Sequence, residues 1–116
     1  MKKLSSLRQA FTLMEIMIVV AIIGLLATIA VPTFVKARAT AQLGACQNNL
    51  RQINSAKQQW AFENLKALTD VPLDSDLFGD TLYLAQKPVC PAGGNYSLNQ
   101  VGLPVTCSVA GHTPSQ

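Results

Sequence analysis

The side chains with the most capacity for chemistry in this 116-residue chain are three cysteines and one histidine. Cys90 and Cys107 flank a turn-rich stretch, so a disulfide between them is the natural reading. It would close a loop of about 18 residues and contribute about 3 kcal/mol in the chain-entropy account. The odd count leaves one thiol free or pairing between chains, and spacing alone does not fix connectivity, so a bridge from Cys46 stays open. Cys46, Cys90, Cys107 and His112 are also four residues of the right types for tetrahedral zinc. The close Cys-x-x-Cys pairing of such sites is missing, and an oxidising compartment favours the disulfide, so no metal ligand is expected. Cys46, between Leu43 and Leu50, reads as a small core residue, and His112 as a solvated tail residue. No catalytic Ser/His/Asp or Cys/His constellation has support in the sequence, and there is no phosphate-cradling glycine loop or second histidine. The chain is therefore not expected to be an enzyme or to carry a cofactor.

One further residue is conspicuous by its surroundings. Glu15 is the one charge in the apolar run Phe11–Val31, FTLMEIMIVVAIIGLLATIAV. A carboxylate within a bilayer costs about 2.5–3.5 kcal/mol at the centre and less near an end, so such a residue usually has a partner and a purpose. As a helix the run would extend about 31 Å, enough to span a bilayer core. Lys2, Lys3 and Arg8 precede it and account for the net charge of +3, since the other six basic residues balance six acidic ones. A chain neutral beyond its first ten residues gives no reason to expect nucleic-acid binding. Basic residues before an apolar segment tend to stay cytoplasmic and send the C-terminal part across the membrane. A plain anchor explains the length but not the early acid. A conventional signal peptide cut after Thr28-Ile29-Ala30 fits poorly, because the run is too long and carries Glu15.

Beyond Pro32 the pattern becomes one-sided. Leu43, Cys46, Leu50, Ile53 and Trp60 recur at helical spacing with Lys57 at the intervening step, and Gln42, Gln47, Asn48, Gln52, Gln58 and Gln59 take the opposite face. One nearly continuous helix is expected from Phe11 to Leu68, disturbed near Gly24 and Pro32. Trp60 reads as the packing anchor of the C-terminal head. Asp74 or Ser75 is expected to cap a short helix over 76–84. Pro88, Pro91 and Gly93-Gly94 exclude further helix, and strands are expected around 95–98 and 104–108, joined by a loop over 99–103. The fold class is α+β: a long N-terminal helical spine carrying a small β-hairpin head, in a lollipop arrangement.

At residues 9–15, Gln-Ala-Phe-Thr-Leu-Met-Glu, a polar leader runs straight into the apolar segment. AFTLMEIMIVVAIIGLLATIAVP resembles the N-terminal signature of type IV prepilins and type II secretion pseudopilins. The resemblance implies that a prepilin peptidase cuts the Ala10–Phe11 bond on the cytoplasmic side and that the new amino group of Phe11 is methylated. Ala10 stands where the family usually has glycine. Glu15 matches the family's glutamate, fifth in the mature chain, which implies an assembly role: pairing with the Phe11 amine of a neighbouring subunit. Gly24 and Pro32 match its helix-loosening positions. The implied organisation is a leader over 1–10, a membrane and filament-core helix over 11–32, an amphipathic helix over 33–68 and a head over 69–116. The implied product is a structural subunit of a pilus or pseudopilus filament, held in the bacterial inner membrane by one pass and then assembled on an inner-membrane platform. A monomeric membrane-tethered binding or metal-site domain is the alternative. Asp70, Asp74, Asp76 and Asp80 form a small acidic cluster; some secretion pseudopilins bind calcium through head loops, so Asp74 and Asp76 are weighed as oxygen ligands, with capping and solvation preferred.

Overall fold

The computed structural model of the chain describes residues 9–114, so the leader reading lies outside the described residues except at Gln9 and Ala10. Helix α1 runs from Leu13 to Glu63, a short helix α2 from Asp74 to Leu77, strand β1 from Tyr96 to Ser97 and strand β2 from Thr106 to Cys107. The α+β class expected from the sequence is what forms. The chain divides between Ala37 and Arg38 into two units.

In the first unit, α1 opens with a capping box. The Thr12 N–H donates to Glu15 Oε2 at 3.0 Å, and the Glu15 N–H donates to Thr12 Oγ1 at 3.3 Å. Two otherwise orphaned donors are satisfied at the positive end of the helix dipole. From Phe11 to Val35 the large apolar side chains are 51–84% exposed. This stretch is apolar all round and buries almost nothing within its own chain, so lipid or other protein must cover it. It is long and apolar enough to cross a bilayer. The opening expected near Gly24 and Pro32 is not found here, because the helix is continuous through both. Pro32 removes one N–H from a long ladder and deprives only the Thr28 carbonyl of its usual partner. The turns on either side are held by their own bonds, including those from Thr28 Oγ1 to the Leu25 carbonyl at 2.7 Å and Thr33 Oγ1 to the Ile29 carbonyl at 3.1 Å.

In the second unit the amphipathic half of α1 carries the core. Cys46, Leu50, Ile53 and Trp60 are buried as the spacing predicts, and they pack with Leu77, Tyr96 and Val105. The helix ends at Glu63 rather than Leu68. Leu65 adopts φ 52°, the Lys66 N–H reaches back to the Ala61 carbonyl at 2.9 Å, and the Leu65 N–H reaches the Phe62 carbonyl at 3.4 Å. This is a Schellman termination with leucine where glycine is usual. Leu65 is 93% exposed, so its side chain contributes little packing. Leu65→Gly is expected to raise stability by about 0.5–1 kcal/mol through relief of left-handed strain, read as an increase in Tm.

Helix α2 is shorter than expected. Its N-cap is Leu73, not Asp74 or Ser75, and the Asp76 carboxylate reaches back to the Leu73 N–H at 2.9 Å. After Leu77 the chain turns extended, with Phe78 and Leu84 bridged, so the expected continuation to Leu84 is a loop. Gly79 sits inside that loop and donates its N–H to the Leu84 carbonyl at 2.9 Å. Strands β1 and β2 pair antiparallel, Tyr96 with Cys107 and Ser97 with Thr106, within the ranges expected for the hairpin.

Candidate functional site

Residues 9–12 precede the helix without regular structure, and Ala10 and Phe11 are exposed. Irregular, accessible backbone of this kind is what a peptidase can engage. Gln9, Ala10, Phe11 and Glu15 line one surface cleft, so the Ala10–Phe11 bond and the carboxylate share a neighbourhood. One Glu15 oxygen is occupied by Thr12, and a carboxylate has acceptor capacity for further donors. The Thr-x-x-Glu spacing is a capping signal legible in the sequence.

A different cluster forms where the head meets the amphipathic half of α1. The ligand atoms of Cys46, Cys90, Cys107 and His112 all lie within 4.8 Å of one another. All three cysteines are free, so the expected Cys90–Cys107 bridge is not formed in this structure. The fold gathers those two sulfurs with Cys46 Sγ and the His112 ring in one cluster. His112, expected in a solvated tail, lies with Nδ1 3.6 Å from Cys90 Sγ. Cys46 is fully buried, as expected of a core residue, but it faces polar groups. Tyr96 donates its hydroxyl to Cys46 Sγ at 3.6 Å, and Asn49 Nδ2 donates to the Tyr96 oxygen at 3.1 Å. Burial pushes the Cys46 thiol up to about 12, with Cys107 and Cys90 adding to the rise and Tyr96 opposing it. At Cys90 burial also acts upward, but the N–H groups of Ala92 and Gly94, His112 and Cys46 outweigh it and bring the thiol down to about 6.

Lys57 is a charged residue buried in the core. Its ammonium donates to the carbonyls of Leu98 at 2.9 Å and Gln100 at 3.2 Å, and to that of Leu103. Burial lowers its pKa below the ordinary 10.5. Around it, amides of α1, several of them assigned by pattern to its outer face, grip the head's backbone. Gln42 donates to the Pro91 carbonyl at 3.3 Å, Gln47 to Thr113 at 3.2 Å, Asn49 to Val89 at 3.2 Å and Gln58 to Val101 at 3.1 Å. A head with two-residue strands leaves many carbonyls without ladder partners, and these side chains satisfy them.

The acidic residues are engaged otherwise than as a ligand cage. Asp70 accepts from the Ala67 N–H at 2.8 Å, Asp76 from Leu73 at 2.9 Å, and Asp74 pairs with Lys87 at 2.9 Å. The Asp76 contact is the capping preferred from the sequence, whereas the pairing of Asp74 with Lys87 is not expected there.

Residues 5–31 match the family described as the prokaryotic N-terminal methylation motif. The type IV major pilin protein PilA of Myxococcus xanthus is 44% identical over 55 residues, 47% of this chain and 25% of that protein. The type IV major fimbrial protein FimA of Dichelobacter nodosus is 39% identical over 64 residues, 55% of this chain and 40% of that protein. The aligned part of the chain thus spans less than half the length of these curated relatives. No solved structure gives a significant match. This chain therefore carries the prokaryotic N-terminal methylation motif and is similar to type IV pilins over the aligned part.

Proposed function

We propose that the chain is a structural subunit of a type IV pilus or pilus-like filament. The observation that carries this reading is the stretch from Phe11 to Val35, apolar on every side and 51–84% exposed at its large residues. Such a surface suits lipid before assembly and the helices of other subunits afterwards. The organisation proposed is a leader over 1–10, a membrane and filament-core helix up to residue 32, the amphipathic half of α1 from residue 33 to Glu63, and a head over 69–116. A prepilin peptidase removes the leader at Ala10–Phe11, Phe11 is N-methylated, and the subunit passes from the inner membrane to an assembly platform.

Cleavage would create an ammonium at Phe11, close in sequence to the Glu15 carboxylate. Each is costly to bury alone, whereas paired between neighbours they compensate one another and reward the correct stagger. Gly24 and Pro32 would serve as the points where the helix loosens in the filament. The helix is intact there in the single chain, so packing among subunits would have to supply the energy to open it.

N-terminal mass analysis of the mature protein tests the processing. The expected product begins with N-methyl-Phe11. An uncut Met1 would identify a plain anchor instead, and a start at Val31 would identify a secreted domain.

A further inference from the structure

We propose that Cys46, Cys90, Cys107 and His112 form a tetrahedral site for one Zn²⁺ that fastens the C-terminal hairpin and tail to α1. Zinc bonds of about 2.3 Å to sulfur and 2.0–2.1 Å to nitrogen place ligand atoms about 3.5–3.8 Å apart. The 3.6 Å separation of Cys90 Sγ from His112 Nδ1 has that value, and all four ligand atoms fall within 4.8 Å. Four separate segments supply them: α1, the loop before the Cys90–Gly93 turn, β2 and the tail. Convergence from four segments is what a fastening ion requires, whereas a disulfide would join two sulfurs and leave a buried thiol and an imidazole packed against it.

The surroundings are built for thiolate ligands. The turn after Cys90 is closed by the Gly93 N–H on the Cys90 carbonyl at 3.0 Å. The chain packs tightly against the cluster at Gly94, where an added Cβ would stand 2.7 Å from Cys107 Sγ and 2.6 Å from Val109 Cγ2. The Asn49–Tyr96 relay ends on Cys46 Sγ. Donors that hold the ligands from behind are the usual outer layer of a metal site. Binding forms three Zn–S bonds and one Zn–N bond, releases the thiol protons to solvent and changes no oxidation state. Nδ1 of His112 is the coordinating nitrogen, which leaves the proton on Nε2. The site owes nothing to the filament reading and stands or falls separately from it.

Metal analysis of the full-length chain, extracted in detergent from the cells that make it, gives the test. Zinc is expected at about one per chain. Co²⁺ exchanged into the site is expected to give thiolate charge-transfer absorption and the intense visible bands of tetrahedral coordination. His112→Ala and Cys46→Ser are expected to weaken zinc binding by about tenfold or more, and His112→Cys to restore it. Circular dichroism reports whether each variant folds, and the cobalt spectrum of the unaltered chain decides the matter if the variants do not. Peptide mapping that finds a Cys90–Cys107 disulfide with no bound zinc overturns the proposal. So does full zinc affinity in the Cys46→Ser chain, or a cobalt spectrum without tetrahedral bands.

Discussion

Glu15→Lys is expected to abolish incorporation into filaments while leaving the subunit in the membrane at its normal level. The substitution replaces the one anion in the apolar run with a cation. In the assembled state it would set a second ammonium against the Phe11 ammonium of a neighbour, and an uncompensated buried charge costs several kcal/mol at every interface. Loss of the capping box adds about 1 kcal/mol of local destabilisation at the start of α1. Glu15→Gln separates the two effects, since glutamine can still reach back to the Thr12 N–H but carries no charge. Filaments are counted by electron microscopy, with membrane-fraction immunoblots as the control for insertion. Normal filament numbers with lysine at this position would remove the charge-pairing mechanism.

Lys57→Met is expected to destabilise the second unit by about 3–5 kcal/mol, because the buried Leu98 carbonyl and the part-buried carbonyls of Gln100 and Leu103 lose a charged donor. Methionine matches the length of the lysine stem, so the loss reflects hydrogen bonding rather than a cavity. For a unit of this size a change of that order lowers Tm by more than about 10 °C. A thermal melt of the full-length chain in detergent, followed through Trp60 fluorescence, measures it. A variant within about 1 kcal/mol of the parent would show that the carbonyls of Leu98, Gln100 and Leu103 find water instead.

The helical half is the readable part of this sequence, and its reasons are local. Apolar spacing locates Cys46, Leu50, Ile53 and Trp60 in the core, and all four are buried there. Periodicity weighs only hydrophobicity, so it can place Lys57 on that stripe without saying what satisfies its charge. The partners are carbonyls more than 40 residues away, in a loop whose path no short-range pattern describes. The end of α1 escapes the pattern for a related reason: Leu65 lies in a conformation that leucine rarely adopts, so nothing in its residue type announces a stop. Around the thiols, the lack of a Cys-x-x-Cys pair argues against convergence. That criterion belongs to sites built on one knuckle, whereas this cluster draws a single residue from each of four segments. Glu15 stands out by its cost in an apolar run, but its contact with Thr12 is legible only from the three-residue spacing.

The amides of Gln42, Gln47, Asn49 and Gln58 bear on how such a protein can be recombined or engineered. Because they donate to carbonyls at Pro91, Thr113, Val89 and Val101, the surface that organises the head is written into the helix. A chimera that joined a foreign head at residue 69 would strand these donors and the buried Lys57 opposite the wrong backbone. A crossover between Ala37 and Gln42 would transfer the donors with their acceptors. The natural unit of exchange is therefore the second half of α1 together with the whole head. Swapping heads between related chains should succeed at that junction and fail some thirty residues later.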